Sequence, residues 1–346
     1  MLSIKRKRAK FLSNPEVYMR KRILVTGGSG FIGSALVKTL IDKGESVRVL
    51  DNQSRGSMTR LDNFKDKFEM INGDIRDLQV VEKACKGVNS VLHLAYINGT
   101  EFFYSKPELI LEVGVKGMLN VLDSCIKYQI PELLLVSSSE VYQTPQIIPT
   151  PEEVPLVVPD PLNPRYSYGG GKIISELLAI NYGRKFFKKV IIVRPHNVYG
   201  PDMGFEHVIP QLTLRIKNII ENSKTKGIIE LPIQGSGKET RAYIYIDDFT
   251  NGILRVLDKG KHLEIYNIGI MQEITSKQLA EEIGACFNTK IKIVTGRLNK
   301  GGTLRRCPDT NKLKRLGFKP KFSLKQGLQK TVQWYNAFAY LQTKNV

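Results

Sequence analysis

A glycine-rich turn at residues 22–33, Arg-Ile-Leu-Val-Thr-Gly-Gly-Ser-Gly-Phe-Ile-Gly, constrains this chain more than any other stretch. The apolar run at residues 23–25 is typical of a parallel strand buried on both faces. Glycines recur every third residue at Gly27, Gly30 and Gly33. Because a glycine has no Cβ, a phosphate group can closely approach the backbone N–H groups that begin the next helix. The pattern therefore predicts a strand, a phosphate-sized turn and a helix, in that order.

An acidic residue ends the second predicted strand. Residues 46–50 lead into Asp51, which stands 18 positions after Gly33. A carboxylate at this place can accept hydrogen bonds from both ribose hydroxyls of an adenosine and would repel a 2′-phosphate. The order indicates a dinucleotide site and favours NAD. Arg55 and Arg60 follow closely, so NADP stays open as the alternative.

The chain has 346 residues and a formal net charge of +19, much of it before the first strand. We interpret residues 1–19 as a basic N-terminal extension. Such an arm could touch nucleic acid or anionic lipid. It shows no periodic pattern, however, and no specific nucleic-acid partner is expected. The remaining positive charge suits an anionic nucleotide substrate.

The four cysteines show no C-x-x-C spacing, which indicates reduced thiols and no metal site. The amino-terminal segment lacks the apolar core of a signal peptide, and no run approaches the length of about 18 apolar residues that a membrane helix needs. The expected location is the cytoplasm, without membrane contact.

Strands and helices alternate along the chain. Further strands are predicted at residues 68–71, 89–95, 133–136, 190–193 and 265–269, and a long helix at residues 107–128. This order predicts an α/β fold, a Rossmann-like doubly wound parallel sheet with a smaller C-terminal α/β substrate-binding domain. The NAD-binding domain is predicted over residues 20–195, with a return of about 242–270. The substrate-binding domain is predicted over residues 196–241 and 271–346.

Polar side chains follow the fifth predicted strand. Ser137, Ser138, Ser139 and Glu140 come directly after it, and ligands of open α/β sheets bind at the carboxyl ends of the strands. Tyr168 and Lys172 are four residues apart and share one face of the next helix. An ammonium beside a phenol stabilises the phenolate, so the pair could deprotonate an alcohol while its carbon delivers hydride.

The ordered motifs T-G-G-x-G-F-I-G, D-N, G-D-I-R-D, H-L-A, S-S-S-E-V-Y, Y-x-x-x-K and R-P-x-N-V-Y-G-P resemble those of the extended short-chain dehydrogenases/reductases. Within that group, the chain is similar to the NAD-dependent nucleotide-sugar epimerase/dehydratase family. The resemblance implies Tyr168 as the base, Lys172 on the nicotinamide ribose, Ser138 on the reacting hydroxyl, and a homodimer. It implies cofactor contacts at Gly27, Gly30, Phe31, Ile32, Gly33, Asp51, Asn52, Asp74, Ile75, Leu94, Ala95, Tyr168, Lys172 and His196.

Substrate contacts are expected from Ser138, Ser139 and three residues of the C-terminal part. The resemblance gives Asn197 a phosphate of the nucleotide-diphosphate sugar. Arg241 and Arg306 offer planar forks to the same diphosphate, and Arg305 is the alternative to Arg306.

The family resemblance leaves the reaction open after C4 oxidation to a 4-keto sugar. Glu140 resembles the C5 base of 4,6-dehydratases and the corresponding Glu of nucleotide-sugar decarboxylases, which favours dehydration slightly. Ser139 stands where many dehydratases have an acid, and Gly114 where the family often has Asn. The glycines at 169–171 weaken the start of their helix, and close cofactor packing would explain them. A 4-epimerase, a decarboxylase and a non-enzymatic dinucleotide-binding scaffold are the alternatives.

Overall fold

The structure is a computed structural model that describes residues 21–222, 227–297 and 303–344. Its strands are β1 (Arg22–Thr26), β2 (Ser46–Asp51), β3 (Phe68–Asn72), β4 (Ser90–His93), β5 (Glu132–Val136), β6 (Lys189–Pro195), β7 (Val198–Tyr199), β8 (Ile228–Ile233), β9 (Thr240–Ala242), β10 (Ile244–Tyr245), β11 (Glu264–Ile268), β12 (Glu273–Thr275), β13 (Lys290–Thr295) and β14 (Arg305–Arg306). Its α-helices are α1 (Phe31–Asp42), α2 (Leu78–Cys85), α3 (Thr100–Ser105), α4 (Pro107–Leu111), α5 (Gly117–Lys127), α6 (Ser167–Phe186), α7 (Val208–Asn222), α8 (Ile246–Lys259), α9 (Ser276–Ala285), α10 (Asn311–Arg315) and α11 (Leu324–Ala337).

Seven strands form one parallel sheet in the order β11-β6-β5-β4-β1-β2-β3. The chain runs outward from β1 to β2 and β3, and then crosses to β4 on the other side of β1. Such a reversal opens a crevice at the carboxyl ends of the strands. The predicted doubly wound parallel sheet is confirmed, and β11 returns to its edge.

The apolar runs place the central strands in two hydrophobic cores, one on each face of the sheet. In β1, Ile23 and Val25 pack into one core and Leu24 packs into the other. This alternation follows from the two-residue period of a strand. Each fully buried Leu or Ile side chain contributes about 2 kcal/mol through the area it removes from water. The sheet is therefore a rigid platform for the loops at its carboxyl edge.

The C-terminal part adds three small sheets. Strand β9 pairs with β12 and β14, β8 pairs with β13, and β7 pairs with β10. Helices α9 and α11 each begin with a capping box, in which Thr275 and Ser323 bond the third residue of their helices. The smaller α/β part that the sequence predicts is thus present.

The predicted helix at residues 107–128 is not continuous. It divides into α4, a π-helical turn at Glu112–Lys116, and α5. Single π turns inside helices occur frequently at functional sites. This turn contains Gly114, which faces the hydroxyl of Tyr96.

The basic segment 1–19 lies outside the described residues, and the domain boundaries stay predictions. No helix in the described part of the chain has both the length and the apolar character needed to cross a membrane.

Candidate active site

The glycine turn after β1 is built for close backbone packing. Gly27 has a φ of +72°, and a Cβ placed on it would lie 2.8 Å from the backbone nitrogen of Ala95. A Cβ on Gly33 would lie 2.0 Å from the carbonyl oxygen of Gly27. Helix α1 begins after Gly30 without a side-chain cap and without an acidic residue in its first turn. Its first N–H groups and the helix dipole are therefore available to an anion.

Asp51 ends β2 beside this turn. Its Oδ2 atom accepts a hydrogen bond from the backbone N–H of Ser29 at 2.9 Å, and its Oδ1 atom accepts one from Gln53 at 2.7 Å. These bonds fix the carboxylate, and a carboxylate has about four acceptor positions, so acceptor capacity remains for hydroxyl groups. Asp51 is thus placed as the glycine and acid pattern predicts.

Asp74 belongs to a neighbouring polar cluster. It accepts hydrogen bonds from the Arg76 guanidinium and from Nδ2 of Asn52, the latter at 2.9 Å. The Arg76 hydrogen bond is the main reason that the pKa of Asp74 lies below its ordinary value. Asp74 is therefore an ionised acceptor at the edge of the crevice.

Arg55 and Arg60, the two arginines that could favour NADP as the cofactor, each form an ion pair with a carboxylate of this chain. Arg55 Nη2 lies 2.7 Å from Glu206, and Arg60 Nε lies 2.8 Å from Asp202. Both pairs connect the loop after β2 to the segment before α7. The guanidinium groups thus already have anionic partners.

Nearly all predicted site residues line one crevice of about 560 Å³. Its lining contains every predicted residue except His196 and Arg241, namely Gly27, Gly30, Phe31, Ile32, Gly33, Asp51, Asn52, Asp74, Ile75, Leu94, Ala95, Ser138, Ser139, Glu140, Tyr168, Lys172, Asn197 and Arg306. The volume lies in the range of ligand sites, about 300–1,000 Å³. The described residues contain no group of three or more metal-ligating side chains.

His196, Arg241 and Asn197 have structural partners. His196 Nε2 lies 3.1 Å from Oδ1 of Asn267, and burial lowers the pKa of His196 to about 3, so the ring is neutral. Arg241 donates to the carbonyl oxygen of Thr303 at 2.6 Å. Asn197 Nδ2 donates to the carbonyl oxygen of Ala242 at 2.9 Å. The cofactor and phosphate contacts predicted for these residues stay predictions.

Tyr168 and Ser138 both line the crevice. Tyr168 is buried and lies in the first turn of α6, and the Ser138 side chain is close enough to act on the pKa of its phenol. Burial raises the pKa of Tyr168 to about 12, and the Ser138 side chain partly opposes that rise. The phenol is therefore protonated at neutral pH unless further positive charge acts on it.

Lys172 lies one turn further along α6. Its Nζ donates to the carbonyl oxygen of Val136 at 2.8 Å and lies 3.9 Å from the ring centroid of Tyr96. Burial lowers the pKa of Lys172 to about 7, although the Glu176 charge opposes this. The contact with Tyr96 was not predicted from the sequence.

Glu140 forms an ion pair with Arg306, and both residues line the crevice. Burial by itself would raise the pKa of Glu140, but Arg306, supported by Arg165 and Arg241, outweighs it, so the pKa lies below its ordinary value. Arg306 also donates to Thr303 Oγ1 at 3.2 Å. Its buried Nε has no acceptor among the described residues.

Known proteins resemble this chain in sequence and in structure. A model of the NAD dependent epimerase/dehydratase family matches residues 23–269. The chain belongs to this family.

The relatives of this family member carry out different reactions. UDP-glucuronic acid decarboxylase 3 of Arabidopsis thaliana is 32% identical over 313 residues, which cover 89% of this chain and 86% of the relative. The solved structure of UDP-glucose 4-epimerase from Thermotoga maritima, with UDP-glucose, matches this structure with a TM-score of 0.80 and 29% identity. The match covers 92% of this chain and 99% of the epimerase chain. The solved structure of dTDP-glucose 4,6-dehydratase from Streptomyces venezuelae, with NAD bound, matches with a TM-score of 0.80 and 30% identity. The match covers 92% of this chain and 98% of the dehydratase chain.

NAD is the cofactor of the family, and the crevice of this member fits it. The open first turn of α1 suits a pyrophosphate, and Asp51 has acceptor capacity for ribose hydroxyls. A Cβ on Gly27 would fill the space against Ala95. The residues that would hold NAD here are Gly27, Gly30 and Asp51, and the nicotinamide ribose contact of Lys172 stays a prediction.

Side chains of the protein explain two of the three glycines at the start of α6, Gly169 and Gly171. A Cβ on Gly169 would lie 2.4 Å from Gln143 Nε2, and one on Gly171 would lie 2.2 Å from the Tyr96 hydroxyl. A Cβ on Gly170 would meet Val158 at an ordinary 3.5 Å. Packing against Gln143 and Tyr96 thus accounts for glycine at positions 169 and 171, and close cofactor packing at Gly170 stays a prediction.

Sequence reasoning also missed a buried network beneath the serine loop. Glu176 accepts hydrogen bonds from Ser137 Oγ and from Arg194, whose Nη2 lies 2.7 Å from it. Arg194 also donates to the Tyr142 hydroxyl at 2.7 Å. Glu176 follows Lys172 by four residues on the same helix, and this spacing was the available signal. The network ties the end of β5 to α6 and so fixes Ser138 relative to Tyr168.

Proposed function

We propose that this enzyme oxidises C4 of a nucleotide-diphosphate uronic sugar and then releases the C5 carboxylate as carbon dioxide. The observation that carries this proposal is the ion pair between Glu140 and Arg306. Glu140 stands two residues after Ser138. The ion pair puts a guanidinium with an unused buried N–H in the lining of the crevice that also contains Ser138 and Tyr168. A uronate carboxylate is a matching acceptor for such a group.

The first step takes place at the C4 hydroxyl. Ser138 donates to or accepts from that hydroxyl, and Tyr168 removes its proton as C4 is oxidised. Bound NAD supplies the acceptor for the hydride that leaves C4. The Ser138 side chain favours the phenolate of Tyr168. Lys172 lies one turn further along α6, and its protonated form adds positive charge on the same helical face.

The second step needs little from the protein. A C4 ketone is β to the carboxyl group on C5, so the electrons of the breaking C–C bond move toward the ketone oxygen as carbon dioxide leaves. C5 then takes a proton from water. As the hydride returns to C4 from the reduced cofactor, Tyr168 returns its proton to the C4 oxygen, which yields a nucleotide pentose. Arg306 binds the carboxylate before it leaves, and Glu140 balances the guanidinium charge afterwards.

Dehydration, which the sequence favours slightly, asks more of the site. It requires a base at C5 and an acid for the departing C6 hydroxyl. Glu140 lines the crevice two residues after Ser138, and its lowered pKa keeps it ionised and unable to donate a proton. The position next to it is Ser139. The site thus supports decarboxylation better.

A second candidate is C4 epimerisation. Ser138, Tyr168 and Lys172 suffice for it, without Glu140 or Arg306. The Thermotoga maritima relative with UDP-glucose supports this candidate.

A substrate panel separates these reactions. The purified enzyme is incubated with UDP-glucuronate, UDP-N-acetylglucosaminuronate, UDP-glucose and dTDP-glucose, and products are measured by mass and by sugar stereochemistry. We expect a uronate to lose the mass of carbon dioxide. Loss of water from dTDP-glucose would establish dehydration, and a stereochemical change at constant mass would establish epimerisation. Either result without carbon dioxide release overturns the proposal.

We also propose that the enzyme is a homodimer through α6. Ile174 and Leu177 are 41% and 55% exposed on this helix, and Leu111 of α4 is 37% exposed. Residues three apart lie on one helical face, so these side chains offer an apolar strip to a second copy. Light scattering after size exclusion should give twice the chain mass. Leu177→Glu should halve it, while Leu162→Glu, at an exposed loop position, should not.

Reduced cytoplasmic thiols remain our proposal for the cysteines. All four are free in the structure, and three are buried.

A further inference from the structure

Tyr96 is the one aromatic side chain whose ring meets the Lys172 ammonium in the described part of the chain. The Nζ atom lies 3.9 Å from the ring centroid, well within the range of about 6 Å for a cation–π contact. The same ring lies edge-on to Tyr168, with centroids 5.2 Å apart and an interplanar angle of 86°. Tyr96 therefore contacts both side chains of the Y-x-x-x-K pair.

The hydroxyl of Tyr96 is confined by steric contacts. It is buried and has no hydrogen-bond partner among the described residues. A Cβ on Gly114 would lie 2.4 Å from this oxygen, and a Cβ on Gly171 would lie 2.2 Å from it. Two glycines from different elements thus leave the space that the phenol fills. The ring cannot rotate far without meeting the π turn or α6.

The Lys172 ammonium has few other partners in this buried place. Nζ donates one hydrogen bond, to the carbonyl oxygen of Val136, although an ammonium has three donors. The negative face of an aromatic ring offsets part of the cost of burying such a charge. The ring and the Val136 carbonyl together fix where the ammonium lies at the end of β5.

We propose that Tyr96 is a positioning residue for Lys172, whose ring face holds the ammonium in line with the crevice and whose hydroxyl fixes the ring between Gly114 and Gly171. The proposal rests on the role of Lys172 toward the nicotinamide ribose. Gly114 is the position where the family resemblance leads one to expect Asn, and Tyr96 fills the space beside it. Lysine positioning is thus supplied from the loop after β4.

The test is a double-mutant cycle read as NAD affinity. Tyr96→Leu removes the ring, Tyr96→Phe keeps the ring without the hydroxyl, and Lys172→Met removes the ammonium at similar volume. NAD binding to each purified variant is measured by calorimetric titration at about pH 6, where the lowered pKa of Lys172 still leaves the ammonium protonated, and thermal unfolding verifies folding. We expect Tyr96→Leu to weaken NAD binding about tenfold, which lies between the values of an exposed and of a fully desolvated cation–π contact. We expect Tyr96→Phe to stay within about twofold of the starting enzyme, because it retains the ring.

The decisive comparison is made without the lysine. In the Lys172→Met background, Tyr96→Leu should change NAD affinity by less than about twofold, since no ammonium is left to position. An equal loss in both backgrounds would show that Tyr96 acts through packing and would overturn the proposal. Unchanged NAD affinity in Lys172→Met or in Tyr96→Leu would overturn it as well.

Phe103 provides the matched control. Its ring stacks on Tyr168 at a centroid distance of 5.0 Å, so it is a second buried aromatic neighbour of the Tyr168 phenol. Phe103→Leu should give the same change in NAD affinity whether residue 172 is Lys or Met. These readouts do not depend on which nucleotide sugar is converted. A failed substrate panel would therefore leave this test intact.

Discussion

Gly171 and Tyr96 allow a stability prediction whose sign depends on one oxygen atom. In Gly171→Ala the new Cβ would lie 2.2 Å from the Tyr96 hydroxyl, and the next neighbours, Leu111 Cδ2 and Tyr96 Cζ, lie at 3.4 and 3.6 Å. Overpacking of this kind costs about 1–3 kcal/mol. Alanine is favoured over glycine inside a helix by about 1 kcal/mol. We therefore expect Gly171→Ala to reduce the free energy of unfolding by about 1 kcal/mol, the difference between these two effects.

Removal of the hydroxyl should reverse this sign. In the Tyr96→Phe background the remaining contacts of the new Cβ are ordinary van der Waals contacts. Gly171→Ala should then increase the free energy of unfolding by up to about 1 kcal/mol through helix propensity alone. The coupling between the two substitutions is thus about 2 kcal/mol, within the range measured for residues in contact. Tyr96→Phe alone should be neutral or stabilising, because it removes a buried hydroxyl without a partner.

Urea denaturation of the four proteins measures this coupling. Gly170→Ala is the matched control, because its Cβ would lie 3.5 Å from Val158 and should be stabilising in both backgrounds. Gly169→Ala should be destabilising in both, since Gln143 Nε2 and the Glu140 carbonyl oxygen obstruct it at 2.4 and 3.0 Å. The reasoning is refuted if Gly171→Ala behaves like Gly170→Ala, or if its cost is the same with Tyr and with Phe at position 96.

Three further predictions concern the chemistry of the site. Tyr168→Phe should lower kcat at least about a hundredfold, the lower end for loss of a general base, while NAD content measured by absorbance stays unchanged; near-normal turnover would contradict the assignment. Arg306→Lys should lower kcat/KM for a uronate about tenfold through loss of a charged hydrogen bond, whereas Arg305→Lys, in an exposed pair with Glu273, should change it less than about twofold; equal effects would remove the role of Arg306. Burial lowers the pKa of Lys172 to about 7. Between about pH 7 and pH 10 the unfolded chain therefore holds a proton on Lys172 that the folded chain lacks. The free energy of unfolding should rise with pH over this range, relative to that of Lys172→Met. Below pH 7 both states hold that proton and the two urea curves should run parallel; parallel curves over the whole range would contradict the lowered pKa.

The strands that build the sheet were predictable because their signal is local. The apolar run before Gly27 and the alternation of later runs with helices reflect burial on both faces of a parallel sheet. The capping boxes at Thr275 and Ser323 are equally local, since the bonded residues are three positions apart. Even so, the helix predicted at residues 107–128 missed the π turn. That turn involves Tyr96, which is outside the helix.

In the candidate site, too, the sequence predicts the features that depend on residues close in the chain, and it misses those that depend on residues far apart in it. Residues carried by motifs, such as Gly27, Asp51, Ser138 and Tyr168, line one crevice, because all of them stand at carboxyl ends of strands or at the start of a helix. The pairing of Arg306 with Glu140 joins residues 166 positions apart, and no spacing rule reports it. The chain order of this protein thus accounts for its sheet and the location of its crevice. The charge state of Glu140 and the need for glycine at Gly171 depend on side chains that folding brings together from distant segments, where burial and exclusion of overlapping atoms act.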